Sequence, residues 1–373
     1  MINLRDYQKN IIDEIRQAYQ KGYMSPLAQG PTGMGKTAVL AYMADGAIRK
    51  QQRTCILVHR QELIIQTALA LSAAEVYHDI CAPSEVVRAA QKAVIKQYGM
   101  SYYKYQSFVL IASIQTLVRR THEYDSFDFI LIDEAHHGVA GTWLKIIDAY
   151  PKAKILGVTA TPERLDGKGL GIQCNGIYDT LILGPDIKSL IEQGYLSKIR
   201  VFAPPMQMDL EGVRTIAGDY AKGDLTLRVD KPTITGDAIK HYQRLCNNTP
   251  ALAFCVSVEH AKNVAQQFIQ AGYKSACIDG KMDDYSRRAA IEALGSGNLH
   301  VLTSCEIISE GTDIPIVGAA ILLRPTKSLG LYLQQVGRAM RPYPGKEYTI
   351  ILDHVGNVDR HGLPDEYREW SLE

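Results

Sequence analysis

Two α/β domains in tandem, each built on a parallel sheet flanked by helices, are the fold class this sequence predicts. Three observations carry the prediction. Short aliphatic and β-branched runs alternate with helical patterns along most of the chain, which is the rhythm of βαβ units. The rhythm occurs twice, and between the two sets lies a stretch from about 184 to 241 that holds Pro185, Pro204, Pro205, Pro232 and several glycines. With 373 residues, the chain also exceeds what one hydrophobic core usually supports.

In chain order, the strands of the first set are expected at 55–59, 109–112, 129–132 and 155–159. Those of the second set are expected at 251–256, 275–278, 301–304, 319–323 and 348–352. A boundary near Lys198 gives domains 1–198 and 199–373, with the polar helical piece from Lys231 to Ala238 read as a connector. Apolar content of 46% and charged content of 22% are globular values. The net charge of +1 means that any polyanion would have to meet a local basic track. Seven scattered cysteines without a C-x-x-C pair read as buried reduced thiols of a cytoplasmic protein. Neither an N-terminal signal pattern nor an apolar run near the ~20 residues of a membrane span is present.

Two segments carry chemistry together. Gly30-Pro31-Thr32-Gly33-Met34-Gly35-Lys36-Thr37 fits a phosphate loop, in which glycines let backbone N–H groups turn inward around phosphates. Lys36 would neutralise phosphate charge and Thr37 would offer a hydroxyl to Mg²⁺, while the apolar helical spacing of 36–47 puts the loop at a helix N-terminus. About a hundred residues later, the apolar run Phe129-Ile130-Leu131-Ile132 ends in Asp133-Glu134-Ala135-His136. There Asp133 would hold Mg²⁺ and Glu134 would polarise an attacking water, the parts that hydrolysis of ATP requires. In the second half, Leu331 to Arg341 read as a helix place Gln334, Arg338 and Arg341 on one face. A solvated basic face accounts for that segment equally well when it is taken alone.

With these motifs in order, the chain resembles the superfamily 2 DEAD/DEAH-box helicases and translocases, from Leu4 to about Leu352. The resemblance implies two RecA-like domains with an ATP cleft between them and ATP with Mg²⁺ as cofactors. Leu4-Arg5-Asp6-Tyr7-Gln8 resembles the adenine-recognition motif, which implies that Gln8 reads the base edge and Arg5 packs on the ring. Val158 to Pro162 resembles motif III. Glu310 to Asp313 resembles motif V, implying that Gly311 and Asp313 approach the nucleotide. Gln334, Arg338 and Arg341 match motif VI, so the two arginines would be arginine fingers, and His136 would couple hydrolysis to domain closure. The segments around Arg60 and around Ser113 and Gln115 resemble motifs Ia and Ib, implying contact with a nucleic-acid backbone, with Ser257 and Thr303 as second-domain counterparts. Within the superfamily, the segments at 161–167, 231–238 and 352–357 resemble the bacterial RadD-like DNA-repair ATPases and phage relatives, with Ala135 departing from their usual Asp-Glu-Cys-His.

The resemblance implies a monomeric DNA helicase or translocase acting on single-stranded or branched DNA, with a repair or replication protein as a further partner. An RNA helicase and a nucleotide-gated subunit of a restriction or defence complex are the competing readings. The longer segment 73–107 is read in two ways. Its tyrosines cover a sheet edge, or its basic face (Arg88, Lys92, Lys96) and tyrosines touch DNA. His78, His122, His241, His300 and His361 lack metal-ligand spacing, and His137 has no assigned task.

Overall fold

The computed structural model describes residues 4–138, 141–164, 167–204, 210–216, 218–246, 248–305 and 314–373. The chain divides into a first unit of Met1–Pro185 with Glu369–Glu373 and a second of Asp186–Arg368. The division falls ahead of the expected Lys198, because the residues before it already belong to the second unit, where the Ser197 amide donates to the Met340 carbonyl at 2.9 Å.

The first unit contains α1 (Asp6–Gln20), β1 (Pro26–Gln29), α2 (Lys36–Ile48), β2 (Thr54–Val58), α3 (Gln61–Ala73), β3 (Asp79–Cys81), α4 (Ser84–Tyr98), β4 (Val109–Ser113), α5 (Ile114–Leu117), β5 (Phe129–Asp133), α6 (Gly141–Ala149), β6 (Lys154–Thr159) and β7 (Thr180–Leu183). Its seven strands are parallel, in the order β3-β4-β2-β5-β6-β1-β7. The central β2 and β4 are buried at every position, as a parallel sheet covered on both faces requires. Leu57, Ile130, Ile132, Trp143 and Tyr178 lie in one of its core clusters, which Leu372 near the C-terminus joins. The Leu372 carbonyl accepts from the Leu170 and Gly171 amides, both at 2.8 Å.

The second unit contains α7 (Ile187–Glu192), β8 (Lys198–Phe202), the antiparallel pair β9 (Thr215–Ile216) and β10 (Asp219–Tyr220), α8 (Lys222–Val229), α9 (Pro232–Cys246), β11 (Ala251–Cys255), α10 (Val258–Gln270), β12 (Ser275–Ile278), α11 (Asp284–Gly295), β13 (Val301–Ser304), β14 (Ala319–Leu323), α12 (Leu329–Ala339), β15 (Tyr348–Asp353) and α13 (Asn357–His361). Its sheet is parallel, in the order β12-β13-β11-β14-β15-β8. The expected connector is part of this core, since Ala238, Tyr242 and Cys246 of α9 pack with Phe268 and Ile321. All seven cysteines are free. Among the described residues, no helix is long and apolar enough to cross a membrane.

Candidate functional site

Strand order positions the site. β6 lies between β1 and β5, in a register that pairs Gln29 with Thr159 and Asp133 with Val158. The phosphate-loop segment, the Asp-Glu pair and the Thr159 turn therefore emerge at the carboxyl ends of three neighbouring strands, where open α/β sheets bind ligands.

The loop is fastened before it turns. The Gly30 amide donates to the Thr159 carbonyl at 2.9 Å and Gln29 Nε2 donates to the Ala160 carbonyl at 3.0 Å. Gly33 and Gly35 adopt φ of +100° and +85°, a region that side chains strain to enter. A Cβ on Gly35 would also meet Gln8 Nε2 at 2.6 Å. Lys36 Nζ reaches back to the Gly30 carbonyl at 3.4 Å. The Thr32 hydroxyl is buried without a hydrogen-bond partner among the described residues. Buried polar atoms are nearly always satisfied. This orphaned hydroxyl, beside the unpaired first N–H groups of α2, fits a phosphate.

Gln8 is fastened to the phosphate loop. It is buried, its Oε1 accepts from the Arg5 amide at 2.9 Å, and its Nε2 donates to the Met34 carbonyl at 2.8 Å. The cause is local: Arg5 is the N-cap of α1 and Gln8 its third residue, so the side chain closes a capping box. Tyr7 adds a hydroxyl bond to the same Met34 carbonyl at 2.9 Å and itself accepts from Arg5 Nη1 at 2.8 Å. Arg5, Tyr7 and Gln8 thus brace the loop.

Asp133 ends β5 with 4% exposure. Burial and the neighbouring Glu134 push its carboxyl up to about 6, with Lys36 pulling the other way. A divalent cation would supply the charge that favours the ionised form. Thr37 and Asp133 are the residues that would hold Mg²⁺. Glu134 sits at φ 50°, ψ 54°, a left-handed conformation that costs about 1–3 kcal/mol for a non-glycine residue and clusters at functional sites.

His136 Nδ1 lies 2.9 Å from Thr159 Oγ1 and 3.6 Å from Glu134 Oε2. The Thr159 hydroxyl gives its single proton to the Thr161 carbonyl at 3.0 Å, so Nδ1 of His136 must be the donor to Thr159. His136 therefore ties the Asp-Glu turn to the end of β6.

His137, to which the sequence assigned no task, extends this chain outward. Its ring lies 4.1 Å from that of His136 and 4.7 Å, edge-on, from that of His59. His59 Nε2 accepts from Arg60 Nε at 3.3 Å, and its carbonyl accepts from Gln115 Nε2 at 3.4 Å. The Ser113 hydroxyl donates to Gln115 Oε1 at 2.8 Å. Arg60, Ser113 and Gln115, expected to meet a nucleic-acid backbone, are thus one cluster. A histidine following a named motif gave no signal of this, because the link depends on which strands are neighbours.

In the second unit, Gln334 and Arg338 lie on α12, whose N-cap Ser328 accepts from the Leu331 amide at 3.1 Å. Arg341 does not share the helix face. The helix ends at Ala339, and Pro342 disfavours helical backbone at the residue before it. Lys346 organises this end, its ammonium donating to the carbonyls of Val317 and Arg341 at 2.6 Å each, and to that of Ala339. Within a proline-rich turn it reads as a surface lysine, so the sequence hid it. Thr303 is corrected: it is fully buried and its hydroxyl donates to the Ala261 carbonyl at 2.7 Å, which places it against α10 and out of reach of a phosphate. Ser257 caps α10 by accepting from the His260 amide at 3.1 Å. Gly311 and Asp313 lie outside the described residues.

Burial lowers Lys346 from its ordinary 10.5 to about 8. Between those values the unfolded chain holds the proton that the folded chain releases, so stability contributed at this site rises with pH. Urea melts of wild type and Lys346→Met across pH 7.5–10.5 are expected to show the difference shifting toward wild type with pH. A constant difference would mean that Lys346 titrates normally.

A family described as "Type III restriction enzyme, res subunit" matches residues 1–164, and one described as "Helicase conserved C-terminal domain" matches 237–343. The chain is 32% identical over 345 residues to the "51.5 kDa protein" of a Lactococcus phage, covering 92% of this chain and 69% of that one. It is 28% identical over 371 residues to the "Putative ATP-dependent helicase IRC3" of Saccharomyces cerevisiae, covering 95% and 51%. Among solved structures, the "ATP-dependent Type ISP restriction-modification enzyme LlaBIII bound to DNA" matches with a TM-score of 0.66 and 18% identity, over 94% of this chain and 28% of that one, which shows the fold.

Proposed function

The chain belongs to the superfamily 2 helicases and is an ATP-hydrolysing enzyme, and from that premise we propose that it couples ATP hydrolysis to translocation on DNA, unwinding or remodelling duplexes and branched junctions. The supporting observation is the unbroken chain of contacts from Glu134 and His136 through His137 and His59 to Arg60 and Gln115. A turn that holds the hydrolytic carboxylate is thereby packed against the cluster proposed to hold the strand.

In this reading the loop N–H groups and Lys36 bind the phosphates, and Thr37 and Asp133 hold Mg²⁺, which neutralises phosphate charge. Glu134 takes a proton from the water that attacks the terminal phosphorus while the bond to the ADP oxygen breaks. Arg60, Ser113 and Gln115 contact backbone phosphates without reading bases, which suits movement along any sequence. Ser257 is the second-domain counterpart in this reading, since capping α10 uses a lone pair of its oxygen and leaves the O–H to donate.

DNA is favoured over RNA because the matching LlaBIII structure is described as bound to DNA. A restriction or defence subunit is the second reading, favoured by the family match over residues 1–164. The chain spans 69% and 51% of the phage and yeast relatives, so their activities and partners enter only as proposals here. A cytoplasmic, monomeric enzyme with a repair partner belongs to the same proposal.

ATP turnover with no nucleic acid, single-stranded, duplex and forked DNA, and RNA tests the reading. Stimulation is expected to be largest with single-stranded or forked DNA, and greater stimulation by RNA would sink it. The histidine chain has its own test. His137→Ala is expected to lower the ratio of DNA-stimulated to basal turnover about fivefold or more, the usual range of site-to-site coupling. His137→Phe, which keeps a ring between His136 and His59, should restore most of it. An unchanged ratio in His137→Ala would leave the stack a packing contact.

A further inference from the structure

We propose that the first unit has a second nucleic-acid site, a groove at the outer edge of its sheet that takes unpaired nucleotides of single-stranded DNA beside the Arg60, Ser113 and Gln115 cluster. The groove has a volume of about 1140 Å³ and runs along β3 and β4. Arg53, Arg88 and Arg120 line it, together with Tyr103, Tyr105 and Phe108.

The rings carry the first part of the inference. Tyr105 is 71% exposed and Phe108 45% exposed, two aromatic residues of the lining left in water. Their loop is fixed. The Lys104 amide donates to the His78 carbonyl at 2.9 Å, the Gln106 amide to Asp79 Oδ2 at 2.9 Å, and the Ser107 hydroxyl to the Tyr77 carbonyl at 2.7 Å. Gln106, between the rings, holds φ at +55°, the kind of backbone strain that persists where surroundings over-determine it. Rigid, exposed aromatic faces are what stacking on successive bases uses, independent of sequence.

Charge carries the second part. Among the groove's acids, Asp79 is spent on the Ile80 and Gln106 amides at 2.7 and 2.9 Å, and Glu123 pairs with Arg120 at 3.6 Å. Asp125 remains, against Arg53 and Arg88. Arg88 has no carboxylate partner among the described residues, so a phosphate is free to take it. Position decides the occupant, because the groove includes Thr116 on α5, next to Gln115. Thr116 thus brings one end of the groove next to that cluster.

The structure also separates the two earlier readings of segment 73–107. Tyr98 and Tyr102 pack together with Tyr77, with ring centroids 6.4 and 5.5 Å apart, and the Tyr98 hydroxyl donates to the Leu69 carbonyl at 3.2 Å. They cover the fold. Of the basic face on α4, Arg88 lines the groove, while Lys92 and Lys96 do not.

This inference rests on the DNA reading above, and its test separates the two. Binding of fluorescent forked DNA with single-stranded arms, and of blunt duplex, is measured by anisotropy across a salt series for wild type, Tyr105→Ala, Arg88→Ala, Lys92→Ala and Arg60→Ala, with a thermal melt of each. Tyr105→Ala is expected to weaken fork binding by about 5- to 150-fold, the range of one lost base stack, with duplex binding little changed. Arg88→Ala should lower the log–log salt slope by about 0.7, one phosphate of a single strand, and Lys92→Ala should leave it alone. If Arg60→Ala weakens binding while Tyr105→Ala and Arg88→Ala match wild type, the groove site is wrong and a protein ligand becomes its better occupant. If wild type binds no DNA, the proposed function falls and the groove site with it.

Discussion

Glu134→Gln is expected to bind ATP like wild type and to turn it over about 10²–10⁴-fold more slowly, the usual contribution of a positioned base. The substitution keeps side-chain shape at a residue whose backbone, at φ 50°, is held by neighbours: the Glu134 amide donates to Asp133 Oδ1 at 3.0 Å, and the next carbonyl, that of Ala135, accepts from the Tyr178 hydroxyl at 3.1 Å. The turn should therefore survive, and only the proton acceptor is lost. Lys36→Ala is the complementary case. It removes a charged donor from the loop, worth about 1.5–3 kcal/mol, so ATP affinity should fall by about 10- to 150-fold. Steady-state turnover with calorimetric binding of ATP reads both. Wild-type turnover by Glu134→Gln would take the base assignment away from this residue, and Asp133 would not inherit it. That carboxylate is buried at the end of β5, where a bound cation would engage it as a ligand.

How legible the molecule was depended on whether a feature lay in contiguous residues. The phosphate loop and the Asp133-Glu134 pair are short strings whose chemistry needs only their own spacing, and long aliphatic runs gave the central strands. β3 was invisible because three residues, Asp79-Ile80-Cys81, carry no period. β1 opens on Pro26, which argues against a strand unless it is the first residue. β8, Lys-Ile-Arg-Val-Phe, does alternate, but the prolines on either side made it read as linker. Thr303 misled for another reason. In a strand buried on both faces, alternation does not say which hydroxyl meets solvent and which meets a helix. His137 and Lys346 were silent because their partners, His59 and the Val317, Ala339 and Arg341 carbonyls, are brought together only by strand order and by the turn after α12.

Arg338→Ala and Arg341→Ala are each expected to lower turnover by about 10³–10⁵-fold while changing ATP affinity much less, if the two arginines stabilise transition-state charge as the family resemblance implies. The structure makes both backbones firm enough for that task. The end of α12 is held through the Ala339 carbonyl, which accepts from the Thr349 hydroxyl at 2.8 Å and from Lys346. Arg341, off the helix, is fixed by its own carbonyl, which accepts from the Ser197 hydroxyl at 3.2 Å and from Lys346 at 2.6 Å. Because one ammonium serves both positions, loosening it should imitate a mild form of the arginine defect: Lys346→Met is expected to lower turnover, though less than either alanine variant. Lysine in place of either arginine should not rescue, since a planar fork that grips two phosphate oxygens is not replaced by a point charge. Single-turnover rates measured beside ATP dissociation constants separate the possibilities. Equal losses in rate and affinity would make the arginines ground-state ligands. Wild-type rates in both alanine variants would return them to the solvated basic face that the sequence segment alone allowed.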